Sequence, residues 1–224
     1  MLEFTYSNEL SPQVISTLII VFFLALVFII AGIKVKKLDP NQTPKGFLLV
    51  SIMAVEMFNK LIRSYMKEKQ FRFFAPYLFT IITFLAFANT ISLFGLTPPL
   101  SNIGVAFSFS VMTFLVLKIA EMRFIGIKGK IDGLLGPVKP IAPLMLPINL
   151  IGEVSTPFSM GLRLFVNLMA GSVMAAMVYA VLHWTAGIIA GVMLHVIFDI
   201  FFGLIQAFVF FMLSVVSISM ASDA

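Results

Sequence analysis

The chain has 224 residues, of which 60% are apolar and 11% are charged, and it carries a formal net charge of +5. Soluble domains run nearer about 45–50% apolar and about 25% charged, so this composition excludes an ordinary soluble domain and indicates an integral membrane protein. The sequence contains no cysteine, which excludes disulfide frameworks, thiolate metal sites and a cysteine nucleophile. The positive charges cluster in two loop regions, which favours a role in membrane topology over nucleic-acid binding.

The first predicted element is a membrane span at residues 14–33, an uninterrupted apolar run long enough to cross a bilayer. Lysines follow it directly, whereas residues 1–12 carry glutamates and neither lysine nor arginine. Because basic residues favour the cytoplasmic side, the N-terminus is predicted to lie outside. The acidic start also argues against a cleavable signal peptide and against an arginine-rich transit peptide.

An amphipathic helix is predicted over residues 46–69, after a turn-rich break at residues 39–44. Apolar residues recur there at helical spacing, with Glu56, Lys60 and Arg63 between them. The segment is too polar to span a membrane. It fits equally well a helix that lies on the inner membrane surface and one that binds a partner.

Two further spans are predicted at residues 74–96 and 103–119, joined by an uncharged outer turn at residues 97–102. A charged inner loop is expected from Lys118 to Lys139. Of the 15 Lys and Arg residues, all except Arg163 lie in the two predicted inner segments, which defines the orientation.

The last two apolar runs, residues 141–182 and 186–220, are each much longer than the roughly 20 residues that a perpendicular span needs. We expect a short inward lead-in segment and then two long, tilted, antiparallel helices, connected outside at His183 and Trp184. The predicted fold is an all-α polytopic membrane protein with about five transmembrane helices and one inner-surface amphipathic helix. It forms a single membrane domain, in which residues 1–140 supply peripheral spans and cytoplasmic loops and residues 141–224 an ion-path hairpin.

Two polar stripes cross this hairpin, because side chains four residues apart share a helix face. The stripes contain Ser159, Arg163 and Asn167 on the first helix and His195, Asp199, Gly203 and Gln206 on the second, with Asn149 and Glu153 further toward the inner side. Ionisable groups inside a membrane usually face a bundle interior or a water cavity and mark ion pathways.

Arg163 is the most demanding of these residues. A guanidinium at bilayer depth costs roughly 2.5–3.5 kcal/mol on insertion scales, and arginine cannot lose its proton to avoid that cost. A functional charge and a structural ion pair with Asp199 both remain open. Ser159 and Asn167 equally fit ordinary interhelical hydrogen bonds, and Gly171 predicts the close approach of an external helix.

Residues 159–167, SMGLRLFVN, resemble the S-x-G-L-R-L-F-G-N motif of subunit a of the F-type ATP synthases, the stator subunit of their membrane sector. Residues 206–210 and 217–221 resemble two further motifs of that family. The resemblance implies a long tilted hairpin against a rotating ring of c subunits, a peripheral stalk of subunit b, an indirect link to the soluble F1 sector, and neither cofactor nor metal. It implies a non-catalytic ion-channel subunit. Together with the charge pattern it predicts a bacterial plasma membrane and a cytoplasmic C-terminus.

The resemblance also implies roles for individual residues. Arg163 matches the essential arginine that faces the ring carboxylate, and Asn167 and Gln206 match polar residues beside it. The inner aqueous path is expected to pass Asn149, Glu153 and Ser159.

The outer half-channel departs from the family pattern. The family often has an ionisable residue nine positions after the arginine, where this chain has Ser172. Asp199 is therefore expected to carry the outer proton relay, with His195 one turn away. The path would run past Ser172, His195 and Asp199 to the ring, and Arg163 would separate it from the inner path.

Two other classes of protein remain possible. A stand-alone proton-coupled secondary transporter would use Arg163 to bind an anionic substrate, although the sequence shows no repeat between its halves. A structural membrane subunit would use a buried Arg–Asp pair. An enzyme is not expected, because no nucleophile constellation or phosphate loop is present. The choice between H⁺ and Na⁺ stays open, since in this family the ring supplies the ion-binding carboxylate.

Overall fold

The structure is a computed structural model that describes residues 11–38, 44–135, 142–182 and 184–220. Within these ranges the helices are α1 (Pro12–Lys36), α2 (Phe47–Arg63), α3 (Glu68–Thr90), α4 (Ile103–Leu135), α5 (Ala142–Val181), α6 (Trp184–His195) and α7 (Gly203–Met220). A π-helical segment, Val196–Phe202, joins α6 to α7, and 3₁₀ turns follow α3 and precede α4. Five helical stretches are long and apolar enough to cross a membrane, which confirms the predicted all-α fold class.

Several sequence predictions lie outside the described residues. They concern the acidic N-terminal residues 1–10, the break at residues 39–43, the end of the inner loop at residues 136–141, the connecting residue His183 and the C-terminal residues 221–224.

The first span forms as predicted. Pro12 stands in the first turn of α1, where its fixed φ suits a helix and no backbone donor is lost, and lysines occupy the last turn. One narrow face of α1 is buried, formed by Ser16, Ile20 and Leu24 at spacings of four. The remaining faces expose apolar side chains, as expected of a helix that faces lipid.

The boundary between α2 and α3 differs from the prediction. The amphipathic helix ends at Arg63 rather than at residue 69, and the second span begins at Glu68 rather than at residue 74. Lys67 has an extended backbone, which separates the two helices. Glu68 favours a helix start, because a carboxylate in the first turn interacts with the helix dipole and accepts a hydrogen bond from Arg72 at 3.1 Å.

The predicted charged loop after the third span is also wrong over most of its length. The spanning part of α4 extends to Phe124, and the helix then continues to Leu135. Gly126 lies within this continuation with a φ of 77°, a left-handed conformation that glycine adopts without a steric penalty. The chain is thus helical on both sides of a kink at Gly126, where the sequence suggested a loop.

The ion-path hairpin consists of α5 and the α6–α7 pair. The 40 residues of α5 form one helix with Pro147 and Pro157 inside it, so the expected lead-in segment is part of α5 rather than a separate element. A helix of that length is about 60 Å long, twice the thickness of the hydrocarbon core. The chain reverses after Val181, and α5 contacts α6, the π-helical segment and α7.

The core of the bundle determines which face of α5 looks outward. Contacts are most extensive between α4 and α5 and between α3 and α7. Gly161 allows the closest approach of α4, since a Cβ at that position would lie 3.3 Å from the Cα of Phe107. Fully buried side chains from these helices include Phe74, Leu78, Leu85, Leu164, Phe210, Phe211 and Val215.

Candidate functional site

Arg163 lies on an outward face of α5. Met160, Leu164 and Leu168 are buried on the side of α5 that joins the core, whereas Ser159 and Arg163 are exposed. Within the described part of the chain, Arg163 forms neither a hydrogen bond nor an ion pair. The cation is therefore presented to the surroundings of the bundle rather than neutralised inside it.

The surface around this arginine is strongly apolar. Phe158, Leu162 and Val166 are 51%, 44% and 54% exposed on neighbouring positions of α5. A guanidinium among lipid-facing apolar side chains would be costly, so it is tolerated where an anion or water can reach it. This arrangement suits a helix face that another polar surface covers.

Asp199 does not pair with Arg163. Asp199 is buried, and its carboxylate lies 2.6 Å from Nδ1 of His195, one turn earlier. The interpretation of Arg163 and Asp199 as a structural ion pair is therefore wrong. The His195 side chain is 39% exposed and the Asp199 side chain is 11% exposed, so the pair links an accessible imidazole to a buried carboxylate.

The other polar residues near Arg163 differ in their surroundings. Asn167 is half-buried, and its Nδ2 atom is buried without a hydrogen-bond partner in the described residues. Gln206 is half-buried on α7. Ser172 is exposed, and its hydroxyl donates to the carbonyl of Met169 on its own helix at 2.9 Å. Ser172 thus forms no hydrogen bond to the His195–Asp199 pair.

Glu153 has a partner that the sequence did not predict. Lys118 of α4 donates to its carboxylate at 2.6 Å, and the two side chains are 21% and 25% exposed. The pair lines a cavity of about 210 Å³ together with Thr156, Met160 and Ser217. Asn149 is half-buried one turn before Glu153. The polar region that was predicted to line the inner path therefore contains an ion pair between α4 and α5.

The space beside Gly171 is occupied by another part of the same chain, Phe198. A Cβ at this position would lie 3.0 Å from the Cβ of Phe198, so the predicted external helix is replaced by the chain's own π-helical segment. Gly191 behaves similarly, because a Cβ there would overlap the Tyr179 side chain. Small residues in the hairpin thus serve its internal packing.

Sequence reasoning also missed Asn89, a buried polar residue near the C-terminal end of α3. Its Nδ2 atom donates to the carbonyl of Gly203 at 2.9 Å. The sequence signal was an amide inside an apolar span, which is costly unless it is hydrogen-bonded. Its partner, 114 residues away, could not be inferred from spacing.

These features define a polytopic α-helical membrane protein that carries ionisable residues on a long helical hairpin. The chain matches the family described as ATP synthase A chain over residues 14–219 and therefore belongs to that family. The sequence motifs predicted this family.

Curated relatives agree with this family. The chain is 29% identical to ATP synthase subunit a of Chlorobium phaeobacteroides, a match that covers 97% of this chain and 66% of that protein. It is 29% identical to the sodium ion specific ATP synthase subunit a of Propionigenium modestum, with 95% and 74% covered. It is 30% identical to ATP synthase subunit a of Mycoplasmoides gallisepticum, with 89% and 74% covered. The chain thus spans just under two thirds of the length of the Chlorobium relative.

Proposed function

We propose that this chain is the ion-translocating stator subunit of the membrane sector, which passes protons through two offset half-channels to and from a rotating ring of c subunits. The supporting observation is Arg163, a permanent cation that is exposed on an apolar hairpin and unpaired within the described residues. Such a charge needs an anion that the described residues do not supply. A carboxylate on each passing ring subunit would meet that need.

Arg163 acts on protons in two ways under this proposal. Its charge stabilises an approaching ring carboxylate in its deprotonated form, which favours proton release. It also repels a cation that would cross directly from one half-channel to the other. Two unit charges 4 Å apart interact by about 4 kcal/mol at the effective dielectric near a protein surface, enough to make direct transfer rare.

The outer half-channel would use the His195–Asp199 pair. The half-exposed imidazole meets water, and the buried carboxylate lies 2.6 Å beyond it. A proton shared between these two groups can be taken up on one side and released on the other, the function of a positioned acid and base. Ser172, Asn167 and Gln206 would supply hydrogen-bonding groups along the same face.

The inner half-channel would pass Asn149, Glu153 and Ser159. Lys118 holds the Glu153 carboxylate at 2.6 Å, beside the cavity of about 210 Å³. We therefore assign Glu153 the role of an ion-paired residue that lines the inner path and is held in place by α4.

The proposed assembly follows from the family. The chain would contact the c ring, the subunit b stalk and membrane lipid, and F1 only indirectly, with no contact to nucleic acid. Its location would be a bacterial plasma membrane, with the N-terminus outside and the C-terminus in the cytoplasm. ATP chemistry would take place elsewhere in the complex. We propose H⁺ as the ion, although one relative is named as sodium ion specific.

Purification from native membranes in mild detergent tests this proposal. The tagged chain should bring down a small, acid-containing c-type subunit and the soluble ATPase subunits, and the complex should hydrolyse ATP. Its proton pumping in liposomes should persist without added Na⁺. A chain that purifies alone and drives uptake of an anionic solute would contradict the proposal and favour a secondary transporter.

A further inference from the structure

The segment that carries Asp199 is π-helical rather than α-helical. Over Val196–Phe202 the hydrogen bonds follow the wider pattern, and the N–H of Gly203 donates to the carbonyl of Phe198, five residues earlier. π-helical turns are rare, and they are frequent at functional sites. A segment of this kind needs contacts from its neighbours to hold its register, because the α-helical hydrogen-bond pattern is the far commoner alternative.

Two such contacts lie on either side of Asp199. On one side, Phe198 packs into the space left by Gly171, where a Cβ would lie only 3.0 Å from the Cβ of Phe198. On the other side, the carbonyl of Gly203 accepts the hydrogen bond from Asn89 at 2.9 Å. Gly203 also permits this approach, since a Cβ there would lie 3.0 Å from the Cβ of Asn89.

The Asn89 contact is specific as well as close. Asn89 is 1% exposed. Within the described residues its side chain makes one hydrogen bond, from Nδ2 to the carbonyl of Gly203, and its Oδ1 atom has no partner. In an apolar bundle, an amide that loses its partner carries the full cost of burial without a hydrogen bond. The bond therefore resists rotation of the helix that follows the π-helical segment.

Loss of the π register would change the direction of Asp199. Converting the π-helical segment to an α-helix would shift the residues after it by one position relative to the residues before it. This shift rotates their side chains by roughly 100° about the helix axis. Asp199 lies between the two contacts and would turn relative to α3 and α5, although it could keep its bond to His195 four residues earlier. The direction in which the Asp199 carboxylate points can thus change while its contact with His195 is kept.

We propose that Asn89 is a positioning residue for the outer proton relay: its hydrogen bond to Gly203 holds the π register and so points the Asp199 carboxylate along the transport path. The inference rests on the proposed function, in which Asp199 relays protons. It predicts that removal of the Asn89 amide changes both the register and the transport.

A disulfide measures the register directly, because the native sequence contains no cysteine. We would combine Gly171→Cys with Phe198→Cys in the assembled complex. The two Cβ atoms would lie 3.0 Å apart, so that a small outward shift brings them to the about 3.5–4.5 Å that a disulfide needs. Oxidation should link the pair readily when Asn89 is present. Asn89→Leu should lower the linked fraction several-fold. Thr90→Val is the matched control, because its hydroxyl bonds only to carbonyls of its own helix, and it should leave the linkage unchanged.

Proton pumping measures the functional consequence in the cysteine-free complex. Asn89→Leu should lower ATP-driven pumping per assembled complex by about five- to thirtyfold, the population change that loss of one buried hydrogen bond produces. It should also shift the dependence of pumping on outer pH, which a purely structural defect would not do. If Asn89→Leu fails to assemble, Asn89→Ala removes the amide without adding bulk and takes the same tests.

Asp199→Asn, measured in parallel, separates the two ideas. Loss of pumping in Asp199→Asn, together with unchanged linkage and unchanged pumping per complex in the Asn89 variants, would overturn the positioning role alone. Full pumping in Asp199→Asn would overturn the relay and with it the transport role of Asn89. Reduced linkage and an altered pH profile in the Asn89 variants, with Asp199→Asn inactive, would support both.

Discussion

Asp199 is a buried carboxylate whose observed partner is the His195 imidazole rather than the Arg163 guanidinium. If the pair relays protons, Asp199→Asn should lower proton-driven ATP synthesis about 100-fold or more, the lower end of what a positioned acid or base contributes. The rate in membrane vesicles, normalised to the amount of assembled complex, measures this. Glu56→Gln is the matched control, because it makes the same change from carboxylate to amide at an exposed position on α2. Equal rates in both variants would contradict the relay.

Lys118 and Glu153 form an ion pair that stabilises the chain only when both side chains are present. Lys118→Gln should destabilise the chain by somewhat less than the roughly 3–5 kcal/mol typical of a broken buried pair, because both side chains retain some exposure. The double variant Lys118→Gln with Glu153→Gln should recover most of that loss. Thermal inactivation of the complex in membranes measures it. A double variant less stable than the single one would show that the pair is not the source of the effect.

The sequence predicted some of these residues for a clear physical reason. Arg163 stands out because it is the one basic residue in the predicted hairpin, within a motif that the family shares. The Lys118–Glu153 pair joins residues 35 apart, and the Asn89–Gly203 bond joins residues 114 apart. Such partners depend on how helices pack against one another, and no spacing within one helix encodes them.

At the level of single elements, the helices followed from length and apolar content, whereas their ends and interruptions did not. Two sequence features that suggested loops lie inside helices in the structure. They are the charged, glycine-containing stretch in α4 and the two prolines in α5. Packing overrides these local preferences. The π-helical segment carries no sequence signal. It is accompanied by the contacts of Asn89 with Gly203 and of Phe198 with Gly171, which appear only once the helices are packed.

The packing of α4 on α5 gives an element-scale prediction. Gly161→Val should destabilise the chain by about 1–3 kcal/mol, because added side-chain atoms cannot be placed against the backbone of Phe107 without moving a helix. Gly32→Val is the matched control on α1, where a Cβ would have no neighbour within 4 Å. The temperature at which each variant loses ATP-driven pumping provides the comparison. Similar temperatures for the two variants would show that the close approach at Gly161 is not required.

At the scale of the whole molecule, composition and hydropathy predicted a helical membrane protein with about five spans, and the structure and the family agree. The position of α2 on the inner membrane surface stays a prediction. The role of the hairpin surface around Arg163 does not follow from composition and charge. The chain exposes Arg163 among apolar side chains, and under the proposed function a ring subunit covers this surface. The orientation in the membrane stays a prediction from the distribution of basic residues.

The central claim is that Arg163 separates two half-channels against a ring carboxylate. The most direct measurement is passive proton permeability, alongside ATP-driven pumping, in membranes that carry Arg163→Ala. Arg163→Lys serves as the comparison that keeps the charge and should hold the leak down. We expect Arg163→Ala to abolish pumping while the passive leak is retained or raised, because both water paths remain and the barrier between them is gone. Unchanged pumping per complex, with only a lower amount of protein, would contradict the account and make Arg163 a structural residue.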